Sequence, residues 1–103
     1  MPAHLVVLYH APKDPAAFEK YYAATHGPLV HKHAKEIGII RAEFTKFGSA
    51  VDGSPPQFYR MADLVFASRT ALDKGLKSEG FKTVAGDLPN FATGGYIAMI
   101  GEE

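Results

Sequence analysis

At 103 residues the chain has room for one hydrophobic core, since a chain of this size buries roughly two thirds of the surface its unfolded form exposes. Its 11 basic and 11 acidic residues cancel, which excludes the broad cationic footprint of a nucleic-acid or anionic-membrane binder. There is no cysteine, so disulfides and thiolate metal sites are excluded, and the cytoplasm is the expected location.

Leu5-Val6-Val7-Leu8-Tyr9 is a compact apolar run within residues 4–10, rich in β-branched side chains and short enough for a buried strand. It lacks the basic flank and cleavage site of a signal peptide and is far too short to span a bilayer. Asp14-Pro15 then supplies a helix N-cap followed by proline in the first helical position. Phe18, Tyr22, His26 and Leu29 recur at close to helical spacing and share one face. Gly27-Pro28 should interrupt this helix, because glycine accepts the left-handed C′ conformation and proline has no amide to continue the ladder. The straight helix is expected to end near His26, with a kink or a second short turn to about Lys35.

Residues 38–47 read as a second strand, with Ile40, Ala42 and Phe44 alternating with Arg41, Glu43 and Thr45. A loop rich in glycine, serine, aspartate and proline follows, then a third strand over residues 57–66. In that strand Phe58, Leu64 and Phe66 should face one way, and Tyr59, Met61 and Val65 the other. Ser68 caps the next helical region, and Ser78-Glu79-Gly80 marks a break and a fresh start. Phe81, Val84, Ala85 and Leu88 then form an apolar stripe that Pro89 ends or bends. The last strand covers residues 96–101.

The order strand, helix, strand, strand, helix, strand is the α+β, ferredoxin-like βαββαβ arrangement, a four-stranded antiparallel sheet with helices on one face. It makes one domain of residues 1–103. Helices on one side leave the other sheet face bare, yet strands one, three and four carry large apolar residues on both faces. Such a face is unusual in a soluble monomer, and a second copy related by a two-fold axis is the economical cover. A homodimer is therefore expected.

Several motifs carry a family resemblance. The run Leu5 to Tyr9, Asp14-Pro15-Ala16-Ala17-Phe18, and Tyr21-Tyr22 with His26-Gly27-Pro28-Leu29 resemble the EthD family, named for ethyl tert-butyl ether degradation. Ala62-Asp63-Leu64-Val65-Phe66-Ala67-Ser68 and Asp87-Leu88-Pro89-Asn90-Phe91 are similar to it as well. The most specific element is Phe-x-x-Tyr-Tyr-x-x-x-His-x-Pro-Leu. The third strand departs from the family pattern, with Asp63 where a glutamate is usual. The resemblance implies a dimeric α/β barrel in which two ferredoxin-like sheets pack face to face. Relatives in that superfamily include cofactor-free monooxygenases, muconolactone isomerases, polyketide cyclases or dehydratases, and haem-degrading enzymes. Architecture is thus implied more narrowly than reaction.

His26 is the first candidate for chemistry, because imidazole titrates near neutral pH and suits proton transfer. A helix C-terminus would favour its charged form and burial would oppose it. The plainer alternative is a histidine that caps helix carbonyls or packs beside Tyr22. Asp63 sits inside an apolar strand, where a carboxylate needs a partner or a raised pKa. It is a candidate to orient His26 or share its proton, or else to pair with Arg41, Arg60 or a backbone donor. Tyr9, Tyr22 and Tyr59 are candidate ligand-binding residues whose phenols would orient an oxygenated compound, or they are simply core. His31 and His33 point apart on a helix and lack a carboxylate to complete a set, so no metal site is expected. Gly94-Gly95 precedes a strand and is no phosphate loop.

The leading expectation is a cofactor-independent enzyme that moves protons on a small hydrophobic oxygenated compound, as in isomerisation, cyclisation or dehydration. A non-catalytic binding or accessory protein of a degradation pathway is the first alternative. Oxygen-dependent oxidation, with or without haem, is the second.

Overall fold

The computed structural model describes residues 1–103. Strand β1 (Ala3–Tyr9) leads into helix α1 (Pro15–Tyr21), a π-helical turn (Tyr22–His26) and helix α2 (Gly27–Ile37). Strands β2 (Ile39–Lys46) and β3 (Arg60–Phe66) follow, then helices α3 (Arg69–Gly75) and α4 (Glu79–Gly86). A 3₁₀ turn (Leu88–Asn90) and strand β4 (Tyr96–Glu102) complete the chain. All strand pairs are antiparallel in the order β2-β3-β1-β4, the ferredoxin-like arrangement.

The barrel implied by the family resemblance is not formed. The sheet is open, with β2 and β4 as its two edges and no pairing between them. Closure into a barrel requires the outer strands to be paired, and neither β2 nor β4 is paired along its outer side.

The helical regions begin where the sequence signals them. The Asp14 carboxylate accepts from the Ala17 amide, the Ser68 hydroxyl from Ala71 and the Ser78 hydroxyl from Phe81. Between α1 and α2 the structure departs from expectation. Gly27 keeps a right-handed helical φ of −56°, and its amide reaches back to the Tyr22 carbonyl. The ladder slips by one residue just before Pro28, which has no donor to offer, and the helix runs on to Ile37. Gly38, with φ of 96°, is the real stop, taking the left-handed cap that was expected at Gly27.

Two strand readings also shift. A bulge between Ile39 and Arg41 turns Ile40 outward, so Ile39 packs on the core in its place. Strand β3 begins at Arg60, after Tyr59, whose ring lies against Phe18 on the helix-covered side. Tyr59 therefore does not share a face with Met61 and Val65.

The core fills the layer between helices and sheet in two adjoining clusters. Leu5, Leu64 and Phe66 meet Val30, Ile37, Leu72 and Val84 in one, while Val7, Tyr9 and Ala62 meet Phe18, Tyr22, Leu88 and Phe91 in the other. On the far face of the sheet no helix covers Val6, Leu8, Met61, Val65, Ile97 and Met99, as strand alternation and register dictate. Ile97 and Met99 are 41% and 49% exposed there.

Candidate functional site

A cavity of about 230 Å³ lies between the helices and the sheet. The helix-facing side chains of β1, β3 and β4 form its floor, among them Leu5, Val7 and Ala98. Val30, Val84 and Leu88 close it from above. Thirteen of its fourteen lining residues are hydrophobic, and the exception is His26.

His26 is 3% exposed, and its ring lies between Tyr22, stacked at 5.6 Å, and Phe91, at 4.5 Å. Its Nδ1 meets Asp87 Oδ2 at 2.9 Å, across 61 residues of sequence. Asp87 ends α4, and the 3₁₀ turn that Pro89 starts folds Asn90 back so that its amide donates to Asp87 Oδ1 at 3.0 Å. The Tyr21 hydroxyl donates to the same oxygen at 2.5 Å. Three donors inside the protein thus favour the ionised form of this carboxylate.

These contacts set the protonation states. Burial pushes the pKa of His26 below its ordinary 6.5 against the opposing pull of Asp87. Burial acts to raise the pKa of Asp87, but hydrogen bonds from Tyr21, Asn90 and His26 outweigh it and hold the carboxyl below its ordinary value. A neutral imidazole facing an ionised carboxylate must carry its proton on Nδ1, because the carboxylate only accepts. Nε2 is left with a free lone pair. The helix-end argument for a charged His26 does not apply, since the helix continues through Gly27.

Asp63 does not meet His26. Its neighbours Ala62 and Leu64 point into the cavity, so strand alternation sends Asp63 to the opposite face. There it accepts from His4 Nδ1 at 2.8 Å, while His4 Nε2 bonds Glu103 at 2.6 Å. Hydrogen bonds to Glu103 and then Asp63 raise the pKa of His4. The carboxylate beside His26 is Asp87 instead. It belongs to the quoted stretch Asp87-Leu88-Pro89-Asn90-Phe91, where an acidic residue following an apolar stripe was the available signal.

The three tyrosines have different places. Tyr9 lines the cavity and is 1% exposed, with burial pushing its phenol pKa up. Tyr22 buttresses the imidazole, and its buried hydroxyl has no hydrogen-bond partner, although the Tyr9 phenol is a neighbour. Burial raises its pKa to about 12. Tyr59 lies outside the cavity and donates to Glu19 Oε2 at 3.1 Å. Arg60 grips the same Glu19 through Nε at 3.0 Å and Nη2 at 2.7 Å, and stands over the Tyr22 ring. His31 is exposed and His33 pairs with Glu36. No three His, Asp or Glu side chains converge on a point where a metal ion could sit. No helix is long and apolar enough to cross a membrane.

The EthD domain model matches residues 10–95. An uncharacterised 11.0 kDa protein from the thcB-thcC intergenic region of Rhodococcus erythropolis is 31% identical over 99 residues, covering 96% of this chain and 92% of that protein. A crystal structure of an EthD family protein from Bacillus halodurans C-125 superposes with a TM-score of 0.88 at 29% identity, over 100% of this chain and 99% of that one. SnoaB from Streptomyces nogalater, a cofactor-independent oxygenase, shares the fold with a TM-score of 0.66 at 20% identity, over 99% of this chain and 92% of that one.

Proposed function

The chain belongs to the EthD domain family, and from that premise we propose that it is a small-molecule enzyme that works by proton transfer without a cofactor. The observation that carries this reading is the Asp87–His26 pair set into the wall of an otherwise apolar cavity. Nε2 of His26 takes a proton from a bound hydrophobic, oxygenated compound, while Nδ1 keeps its proton on Asp87. The imidazolium so formed is stabilised by the carboxylate behind it. Return of the proton to a different carbon gives isomerisation. Attack of the carbanion on a carbonyl of the same substrate, with the proton returned to that oxygen, gives cyclisation. Return of the proton to a β-hydroxyl as its C–O bond breaks releases water and gives dehydration. Asp87 takes the orienting role that the sequence suggested for Asp63. Tyr9 presents a phenol from the cavity wall, and Tyr22 holds the imidazole ring.

The functional unit we propose is a homodimer. A second copy placing its own Val6, Leu8, Ile97 and Met99 face on this one removes the bare apolar surface from water.

The direct test is His26→Ala, measured as loss of deuterium label from an α-deuterated ketone or as turnover of a substrate found by screening. General acid–base catalysis contributes about 10²–10⁴-fold, and a loss of that order is expected. Intact turnover with intact ligand affinity would point instead to a binding protein in which His26 is only a wall. A second reading takes support from the likeness to SnoaB. The same deprotonation, followed by reaction of the carbanion with dioxygen, makes the protein an oxygenase, and oxygen uptake during turnover distinguishes it.

A further inference from the structure

Building on the His26 proton-transfer reading, we infer that the cavity selects uncharged ring compounds with an acidic O–H or an enolisable C–H, and rejects carboxylates and phosphates.

Three observations converge on this class. First, the cavity contains no group to receive an anion. Neither lysine nor arginine lines it, and its polar atoms are confined to His26 and the phenols of Tyr9 and Tyr96. Arg60 stands over Tyr22 in a separate outer cleft with its guanidinium engaged by Glu19. An anion moved from water into such walls loses its hydration with nothing to replace it.

Second, the charge behind the imidazole is negative. Asp87 touches His26 Nδ1, so an anionic substrate would approach a carboxylate screened only by a neutral ring. Before transfer the site holds neutral His26, one carboxylate and a neutral acid. The substrate's O–H or C–H bond breaks, its electron pair stays on the substrate, and the proton bonds to Nε2. The site then holds an imidazolium, the Asp87 carboxylate and one substrate anion, so its net charge is unchanged. A substrate that was already anionic would become a dianion beside Asp87 with a single cation to serve three negative charges. The arrangement suits a neutral acid.

Third, the volume is small. Sites for drug-sized ligands run from about 300 to 1,000 Å³, and this cavity measures about 230 Å³. One ring with short substituents fills it. Tyr9, kept neutral by burial, adds a phenol but no positive charge to these walls.

The test uses fluorine NMR with para-fluorophenol and para-fluoroacetophenone as neutral probes and para-fluorobenzoate as the anion of matched size. Titrations of the native protein and of His26→Gln are run at neutral pH. At least one neutral probe is expected to bind at least tenfold more tightly than the benzoate in both proteins, because the preference comes from the walls. Equal or tighter binding of the benzoate overturns the inference, as does failure of every probe to bind at millimolar concentration. Deuterium loss from the deuterated ketone, measured on the same two proteins, reports separately on the catalytic reading. Label loss that persists in His26→Gln defeats that reading while leaving the ligand class to be judged on the affinities alone.

Discussion

His26 and His4 each sit beside a carboxylate, yet their pKa values shift in opposite directions: burial lowers the first, and hydrogen bonds to Glu103 and Asp63 raise the second. His26 is enclosed by Tyr22, Phe91 and the cavity, so the cost of burying a charged ring exceeds what Asp87 returns, and its pKa falls below 6.5. His4 lies on the bare sheet face between Glu103 and Asp63, and its pKa rises. A depressed histidine adds stability that is present above pH 6.5 and lost as pH falls from there through its folded pKa. The raised one adds stability that is present below pH 6.5 and lost as pH rises through its folded value, though solvent weakens that surface contribution. Replacing Asp87 by Asn removes the one charge that favours the imidazolium. NMR titration of the His26 ring in Asp87→Asn should therefore give a pKa lower still, and label loss from a ketone should slow. An upward move would mean that Asp87 does not act on His26 as described. In the native protein, activity should be level at neutral pH and decline only below 6.5, since Nε2 must be unprotonated to act. His26 was legible from its place on the Phe18–Tyr22 face. Its partner was not, because nothing local ties residue 26 to residue 87.

The helical element that carries His26 shows how one turn can aim a side chain. A π-turn widens the helix over Tyr22–His26, and Pro28 supplies the reason, since the α-ladder cannot use its missing amide. The sequence signalled a disturbance here but not its form. Glycine followed by proline reads as a stop, and only packing of Val30 and Ile37 into the core makes it worthwhile for the helix to continue. The true stop is Gly38, whose φ of 96° suits glycine alone among common residues. Gly38→Ala should cost roughly 1–2 kcal/mol, the expense of a left-handed conformation for a residue with a Cβ, measured by chemical denaturation. A change of only a few tenths would mean that α2 ends differently. In the strands, the alternation in β3 was readable from Leu64 and Phe66, whereas the bulge beside Ile40 left no pattern in the sequence. Its cost and benefit lie in how β2 meets β3.

At the scale of the whole molecule, the sheet has two unlike sides. One carries the helices and holds the cavity, and the other presents Val6, Leu8, Ile97 and Met99 to whatever lies above it. If a second copy lies there, a charge placed at its centre should separate the subunits without disturbing the site. Met99→Lys is expected to shift the protein from dimer to monomer in sedimentation, with the His26 ring titrating as before. A native chain that sediments as a monomer would remove the dimer from the proposal. Such a face was visible from apolar residues on both sides of strands one, three and four. The closed barrel that the family resemblance added was not, since closure is a property of strand number and edge pairing. Here β2 and β4 remain open edges.

What the sequence determined by itself is the order of elements, the caps at Asp14, Ser68 and Ser78, the two-sided strands and the face on which His26 lies, all of them set by local chemistry. What tertiary structure alone decided is which distant groups meet. Docking of α4 against the sheet brings Asp87 to His26, and the pleat of β3 sends Asp63 to His4 on the other side. Those meetings depend on helix placement and strand register, and both are set by contacts between segments far apart in the chain. The candidate chemistry began with a histidine legible from its neighbours and was completed by a carboxylate that only the fold could supply.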